Sequence, residues 1–530
     1  MIRDSAARRS AVLGFNGAVA TSQPLAAQAG LQALLSGGNA VDAALTAITT
    51  LNVVEPMSTG MGGDLFALVY VAAERKVYAL NASGRSGAGW TVDAYRSHGH
   101  ATVPERGAWA VTVPGAPSGW CELNARLGRL PLERILQSAI LYAEEGFPVS
   151  PIIAGVWHSC EALLRNDPEA ARTYLVHGRA PRLGERFCQP DLARSLRLLA
   201  EHGPDGFYRG PTAQAIAATI RSHGALLTEE DLAAHTSSWV EPITTDYHGL
   251  RVYECPPNGQ GIVALEALNI LSGIDLAGMP FDAPDTVHIK MEALKLALAD
   301  ALSYVADPDR VQVPVEGLLS REYAAQRRAQ IDMGHALPYP TPGTPLGNDT
   351  VYATAVDGEG NAASIINSIF LAFGSGLVAQ GTGVCLQNRG HLFVMDPAHP
   401  NCLAPNKRPF QTIIPGMATE NGDLRMSFGV MGGALQPQGH VQVLTNMLDH
   451  GMDIQQAIDA PRFYYQPGAP HLIEPYFRDE TLAELRRRGH EFELQEGGIF
   501  GGAQVIMVDP DSGALVCGSE PRKDGCAVAY

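Results

Sequence analysis

Thr350 stands where a nucleophile could be made. It closes a stretch rich in Pro and Gly (337–349) and opens a β-branched, alternating run, which a Gly-rich turn folds back into a second apolar run. The pattern predicts a hairpin headed by Thr350. A threonine hydroxyl stays protonated at neutral pH, so it needs a base within hydrogen-bond reach. A free α-amine on the same residue is such a base, because its pKa of about 8 lies near neutrality. Cutting the chain between Asp349 and Thr350 would create that amine and leave two segments, 1–349 and 350–530. Taken alone, Asp349-Thr350 is an ordinary loop-to-strand junction.

The surrounding sequence gives the junction its other meaning. The run 350–373, followed by Gly381-Thr-Gly383, Gln387-Asn388, Lys407-Arg-Pro409 and Gly432-Gly433, resembles the small subunit of the gamma-glutamyltransferase family. Val54-Glu-Pro56, the cluster 60–63 and Val113-Pro-Gly-Ala116 are similar to its large subunit, with Asp64 replacing a usual glycine. The resemblance runs from about Ala18 to the C-terminus. It implies an α+β fold, the N-terminal nucleophile hydrolase αββα four-layer sandwich, built as one intertwined body from two chain segments. It also implies autocatalytic cleavage into a large subunit (1–349) and a small subunit (350–530), with Thr350 as nucleophile of an amide hydrolase or acyl transferase. Ser368 then matches a hydroxyl that bonds the nucleophile. Gly432 and Gly433 match a loop whose backbone N–H groups hold the tetrahedral oxyanion, where the lack of a Cβ permits close approach.

Substrate recognition is where the resemblance breaks. Typical members hold the α-carboxylate of a glutamyl group with an arginine and a pair of serines; these positions fall on Ser83, Gln411 and Thr412. The asparagine and aspartate that hold the α-amine fall on Phe370 and Leu392. A buried ammonium without a counter-charge is disfavoured by several kcal/mol. The expected donor is therefore a small acid amide lacking an α-amine, as in the oxamate amidohydrolase and glutaryl-type cephalosporin acylase branches. Its carboxylate is expected to meet Arg85, Arg389, Thr412 or Gln411. Arg85 lies two residues past Ser83, and strand side chains return to one face every second residue, about 7 Å along. The other reading of Arg85 is a surface ion pair. A shortened stretch at 393–407 favours water over a held amine as acceptor. The rival readings are a glutathione hydrolase or γ-glutamyltransferase with relocated recognition residues, and an inactive structural homologue.

Composition bounds the remaining classes. With 46% hydrophobic residues, 56 Gly and 36 Pro, the chain reads as a packed enzyme with many tight turns. A formal charge of −17 argues against a nucleic-acid partner, which requires a basic footprint. Eight cysteines show no C-x-x-C pair and no metal-ligand spacing, so neither a metal nor another cofactor is expected. Arg3, Arg8 and Arg9 precede a short apolar run that imitates a signal peptide, but Asn16 interrupts it, and no stretch is long enough to span a membrane. A cytoplasmic enzyme is expected. Its partners are a small-molecule amide and the two subunits of one precursor, with homo-oligomerisation of that heterodimer left open.

The elements that must position these residues follow from periodicity and punctuation. Residues 22–50 read as two Ala-rich helices parted by Gly37-Gly38, and the cluster 60–63 as a strand-entry turn leading into paired strands over 65–80. That cluster lacks the spacing of a phosphate cradle. Helices are expected at 132–145, 191–202, 262–271 and 285–304, and strands at 247–253 and 426–430. His158, His177 and His202, and the family-like Arg408 and Arg462, read as structural. Gly374-Ser-Gly376 lacks the spacing of a serine nucleophile elbow. It reads as a turn ending the second strand of the Thr350 hairpin.

Overall fold

The computed structural model describes residues 9–338 and 350–530. Two seven-stranded sheets, antiparallel throughout, form its centre. One contains, in spatial order, Cys526–Ala529, Gly17–Thr21, Val351–Asp357, Ala362–Ser368, Asp64–Val71, Lys76–Ala82 and Ser238–Val240. The other runs Val12–Gly14, Leu515–Ser519, Gly502–Val508, Asp423–Met431, Gly416–Glu420, Leu250–Glu254 and Ile243–Tyr247.

Period-two alternation explains how both faces of the first sheet are buried. Along Val351–Asp357, Val351, Ala353 and Ala355 join a core shared with helices, whereas Tyr352 and Val356 join the core between the sheets. Phe66, Ile366, Met417, Met431 and Ile506 complete that middle layer from both sheets. On the outer face of the first sheet lies Ala40–Val54, which is buried along its whole length and begins with a capping box between Asn39 and Asp42. Its alanines let it lie close to the strands. On the outer face of the second lie Gly261–Leu271, Pro284–Tyr304 and Gln436–Leu448. The result is the expected α+β sandwich of four layers.

The chain after Thr350 inserts its first hairpin into the middle of a sheet built by the chain before it. Val351–Asp357 pairs with Gly17–Thr21, and Ala362–Ser368 pairs with Asp64–Val71. Neither segment contains a complete core without the other. The expected helix at 132–145 is present as Leu132–Glu145, and that at 191–202 as Pro190–His202.

Two expectations about elements change. The apolar run 247–253 is a hairpin, Ile243–Tyr247 and Leu250–Glu254, turned by His248 (φ 48°) and Gly249 (φ 83°). The second strand of the Thr350 hairpin ends at Ser368, ahead of Gly374. Phe370 takes φ 79°, which breaks the extended path.

Candidate active site

Thr350 is buried at the head of the Val351–Asp357 strand. Its Oγ1 donates to Ser368 Oγ at 3.2 Å and accepts from Gln436 Nε2 at 3.4 Å. Neither neighbour is a base at neutral pH. Ser368 lies opposite Asp64 in the sheet, and its Oγ accepts the Phe370 N–H at 2.9 Å. The turn at 60–63 makes this approach possible, since a Cβ on Gly63 would fall 2.3 Å from the Ser368 carbonyl oxygen.

Gly432 and Gly433 follow the Asp423–Met431 strand with φ 134° and 54°. Among the described residues, neither N–H donates to a protein acceptor. The Gly433 carbonyl accepts from Gln260 Nε2 at 2.8 Å, and that same nitrogen binds the Thr412 carbonyl at 2.6 Å. Three residues past Gly433, Gln436 opens the helix Gln436–Leu448. Its side chain ties the Ile414 N–H to the Thr350 hydroxyl.

Arg389 is fully buried beside this group. Its Nη1 donates to Thr412 Oγ1 at 2.6 Å, and its guanidinium carbon lies 4.6 Å from the Phe370 ring centroid. Among the described residues, Nε and Nη2 have no hydrogen-bond partner. Burial pulls its pKa down to about 10, opposed by the Asp64 carboxylate, so it stays charged at neutral pH. Asp64 accepts from Gln411 Nε2 (2.6 Å), Gly84 N (2.8 Å), Gln387 Nε2 (3.1 Å) and Gly115 N (3.2 Å). Burial pushes the Asp64 carboxyl upward, and Arg389 pulls it back.

Thr350 and Ser368 thus meet directly, Gln436 reaches Thr350 from three residues past Gly433, and Arg389, Thr412 and Gln411 connect to Gly433 through Gln260. Arg85 is not joined to them. The preceding strand ends at Ala82, so strand alternation does not carry over to residues 83–85. The Arg85 guanidinium instead meets the half-exposed Asp309 at 2.9 Å. Ser83 is closed off by Asn81, whose Oδ1 accepts from the Ser83 N–H and hydroxyl and whose Nδ2 donates to Asn258. Asp349 lies outside the described residues. Gln436 and Gln260 escaped the sequence reading; the signal for Gln436 is a glutamine at the first helical position three residues past a paired glycine, and for Gln260 a glutamine at the N-cap of the helix Gly261–Leu271.

Arg408 and Arg462 hold structure. Arg408 binds the Ser83 carbonyl and Ser238, and Arg462 pairs with Glu520 at 2.8 Å and holds two carbonyls. Among the described residues, His288, Glu292 and His490 bring metal-ligand atoms within 4.8 Å of one another. Their atoms are already engaged. His288 Nδ1 and His490 Nε2 share a hydrogen bond of 2.7 Å, and the Lys295 ammonium sits 2.7 Å from Glu292. Glu292 and Lys295 also hold both backbone polar groups of Leu337, so the group reads as a structural network.

Helices on the outer faces of two stacked antiparallel sheets, with the paired Val351–Asp357 and Ala362–Ser368 strands inside one of them, make this an N-terminal nucleophile hydrolase fold. The chain belongs to the gamma-glutamyltranspeptidase family, whose model matches residues 26–530. It is 39% identical over 525 residues to the glutathione hydrolase-like YwrD proenzyme of Bacillus subtilis (strain 168), covering 98% of this chain and 99% of that one. It is 37% identical over 535 residues to the oxamate amidohydrolase proenzyme of Klebsiella pneumoniae subsp. pneumoniae, covering 98% and 100%. Among solved structures, cephalosporin acylase from Bacillus halodurans superposes with a TM-score of 0.94 at 47% identity, covering 99% of this chain and 97% of that one. The family is one of hydrolases and acyl-transferring enzymes. No helix among the described residues is long and apolar enough to cross a membrane.

Proposed function

We propose that the protein is a self-processing amide hydrolase that uses Thr350 as its N-terminal nucleophile on a small acid amide without an α-amine. The observation that carries this reading is the Thr350 hydroxyl, bonded to Ser368 and to Gln436, whose helix begins three residues past a glycine turn with two N–H groups that, among the described residues, donate to no protein acceptor. The proenzyme names of the relatives support a cut that divides the chain into 1–349 and 350–530.

In the first reaction, Thr350 Oγ attacks the Asp349 carbonyl, the peptide C–N bond breaks, and an ester remains. The hydroxyl proton passes to the departing nitrogen, which becomes the free Thr350 α-amine, and water then hydrolyses the ester to the Asp349 carboxylate and the free Thr350 hydroxyl. In each later turnover, this amine takes the hydroxyl proton as Oγ attacks the substrate amide. The N–H groups of Gly432 and Gly433 hold the oxyanion, and the proton passes to the departing amine. Water then attacks the acyl ester, releasing the acid and restoring the hydroxyl. The apolar Phe370 ring against the buried Arg389 cation, with Leu392 at the position of the usual aspartate, disfavours a donor bearing an ammonium group.

The test compares ammonia release from oxamate, amine release from a glutaryl amide and anilide release from a γ-glutamyl anilide, with Thr350→Ala as control. The variant is expected to remain one uncut chain. Preference for the γ-glutamyl compound would favour the glutathione hydrolase reading, which the name of the Bacillus subtilis relative supports. A wild-type chain that never cuts itself would point to an inactive homologue.

A further inference from the structure

We infer that Arg389, and not Arg85, is the carboxylate receptor of this site, and that it restricts donors to those carrying a free carboxylate on the acyl side of the scissile amide. The location of the amide rests on the hydrolase reading above; the anion site does not.

A guanidinium offers five N–H donors, and its Nε and Nη2 edge matches the two oxygens of a carboxylate. In Arg389 that edge is the unpartnered one, while Nη1 is fixed by Thr412. A buried charge left without hydrogen bonds is strongly unfavourable unless something fills its place. The other deeply buried arginines each meet a carboxylate: Arg462 has Glu520, Arg522 has Glu474 and Glu520, and Arg408 has Asp309. Among the described residues, Arg389 has none at contact distance. Asp64 influences it electrostatically, but its oxygens are taken by Gly84, Gly115, Gln387 and Gln411.

The placement suits an acyl group bound at Thr350. Phe370, which backs the guanidinium, donates its N–H to the same Ser368 hydroxyl that accepts from Thr350. Thr412, which fixes Nη1, shares Gln260 Nε2 with Gly433. Arg389 is therefore joined to the nucleophile through one set of residues and to the glycine turn through another. With the apolar Phe370 ring against it, the fitting ligand is a short anion, so the substrate class is the monoamides of small dicarboxylic acids.

Calorimetric titration of the purified protein with oxalate, malonate, succinate and glutarate, against the uncharged diamides of the same acids, tests this. At least one acid is expected to bind and its diamide to bind about 30-fold more weakly or not at all, the loss expected for a charge-assisted paired contact. Arg389→Gln should weaken that acid similarly, Arg389→Lys should recover part of the binding, and Arg85→Gln should change it less than about threefold, as expected for a solvent-facing pair. Equal binding of acid and diamide by the wild-type protein would overturn the proposal even if a variant failed to fold. So would loss of binding in Arg85→Gln alone. Acid binding that depends on Arg389, in a protein that turns over no amide, would sink the hydrolase reading and leave the receptor standing. Thr350-dependent turnover of uncharged amides without acid binding would do the reverse.

Discussion

The Arg389 guanidinium rests 4.6 Å from the ring of Phe370, a non-glycine residue held at φ 79°. Positive φ at such a residue is sustained only where its surroundings over-determine it, at a cost of order 1 kcal/mol. Two unfavourable features, an underpaired buried cation and a strained backbone, therefore meet beside Thr350. Replacing Arg389 by Met keeps similar volume and removes the two nitrogens that lack a partner among the described residues. The unfolding free energy of Arg389→Met in urea is expected to stay level or rise by about 1–2 kcal/mol, while turnover of acid amides falls. A stability loss above about 3 kcal/mol would mean that Arg389 is a structural residue.

Ser368 bonds both the Thr350 hydroxyl and the Phe370 N–H. Ser368→Ala removes the contact to the Thr350 hydroxyl, the proposed nucleophile, and frees the loop that carries Phe370. Self-cleavage, followed as the appearance of two bands on a denaturing gel, is expected to slow by about 10- to 100-fold. kcat of the cut enzyme should fall by a similar factor, with KM moving less. A fall confined to KM would place Ser368 in substrate binding alone.

Gly432 combines φ 134° with crowding, since a Cβ there would lie 3.1 Å from Gly501 Cα. Gly432→Ala must turn the peptide that presents the Gly433 N–H. A loss of kcat of about 100-fold or more is expected, the scale for losing one oxyanion donor. Stability should fall by only about 1–2 kcal/mol, from backbone strain. An unchanged kcat in a folded variant would remove this turn from the chemistry.

The sequence carried the parts of the site whose signal is local. The hairpin headed by Thr350, the strand-entry turn at 60–63 and the paired glycines at 432–433 are written in short-range punctuation and alternation. Order and spacing were enough to recognise the family. Arg85 was less legible because the strand argument needs the strand to continue, and it stops at Ala82. The run 247–253 read as one strand because its apolar residues continue through a turn made by His248 and Gly249. Gln260 and Gln436 were invisible for a different reason: each works by joining segments more than 80 residues away in the chain, Gly433 for one and Thr350 for the other. No window of sequence contains both ends.

Lys290 gives the protein a measurable dependence on alkaline pH. It is buried on the Pro284–Tyr304 helix, with its Nζ 3.4 Å from Asn446 Oδ1 and 3.1 Å from His450 Nε2. Burial pulls the ammonium down to about 7, opposed by Asp449, which also binds Tyr247 and His248. His450 is itself pulled down to about 4 by burial and by Lys290, so it faces the lysine as a neutral ring. Between about pH 7 and the ordinary lysine value of 10.5, the unfolded chain holds a proton that the folded chain has released. The Lys290 contribution to stability therefore rises with pH across that window, its penalty being fully present below it, while the Cys121, Cys385 and Cys517 thiols, pushed up to about 12 by burial, contribute in the opposite direction above about pH 8.5. Between pH 7 and pH 9.5, the urea unfolding free energy of the wild-type protein should gain roughly 2–4 kcal/mol relative to that of Lys290→Met. If both proteins gained equally, the alkaline stabilisation would belong to another group, and Lys290 would be folded with its charge intact.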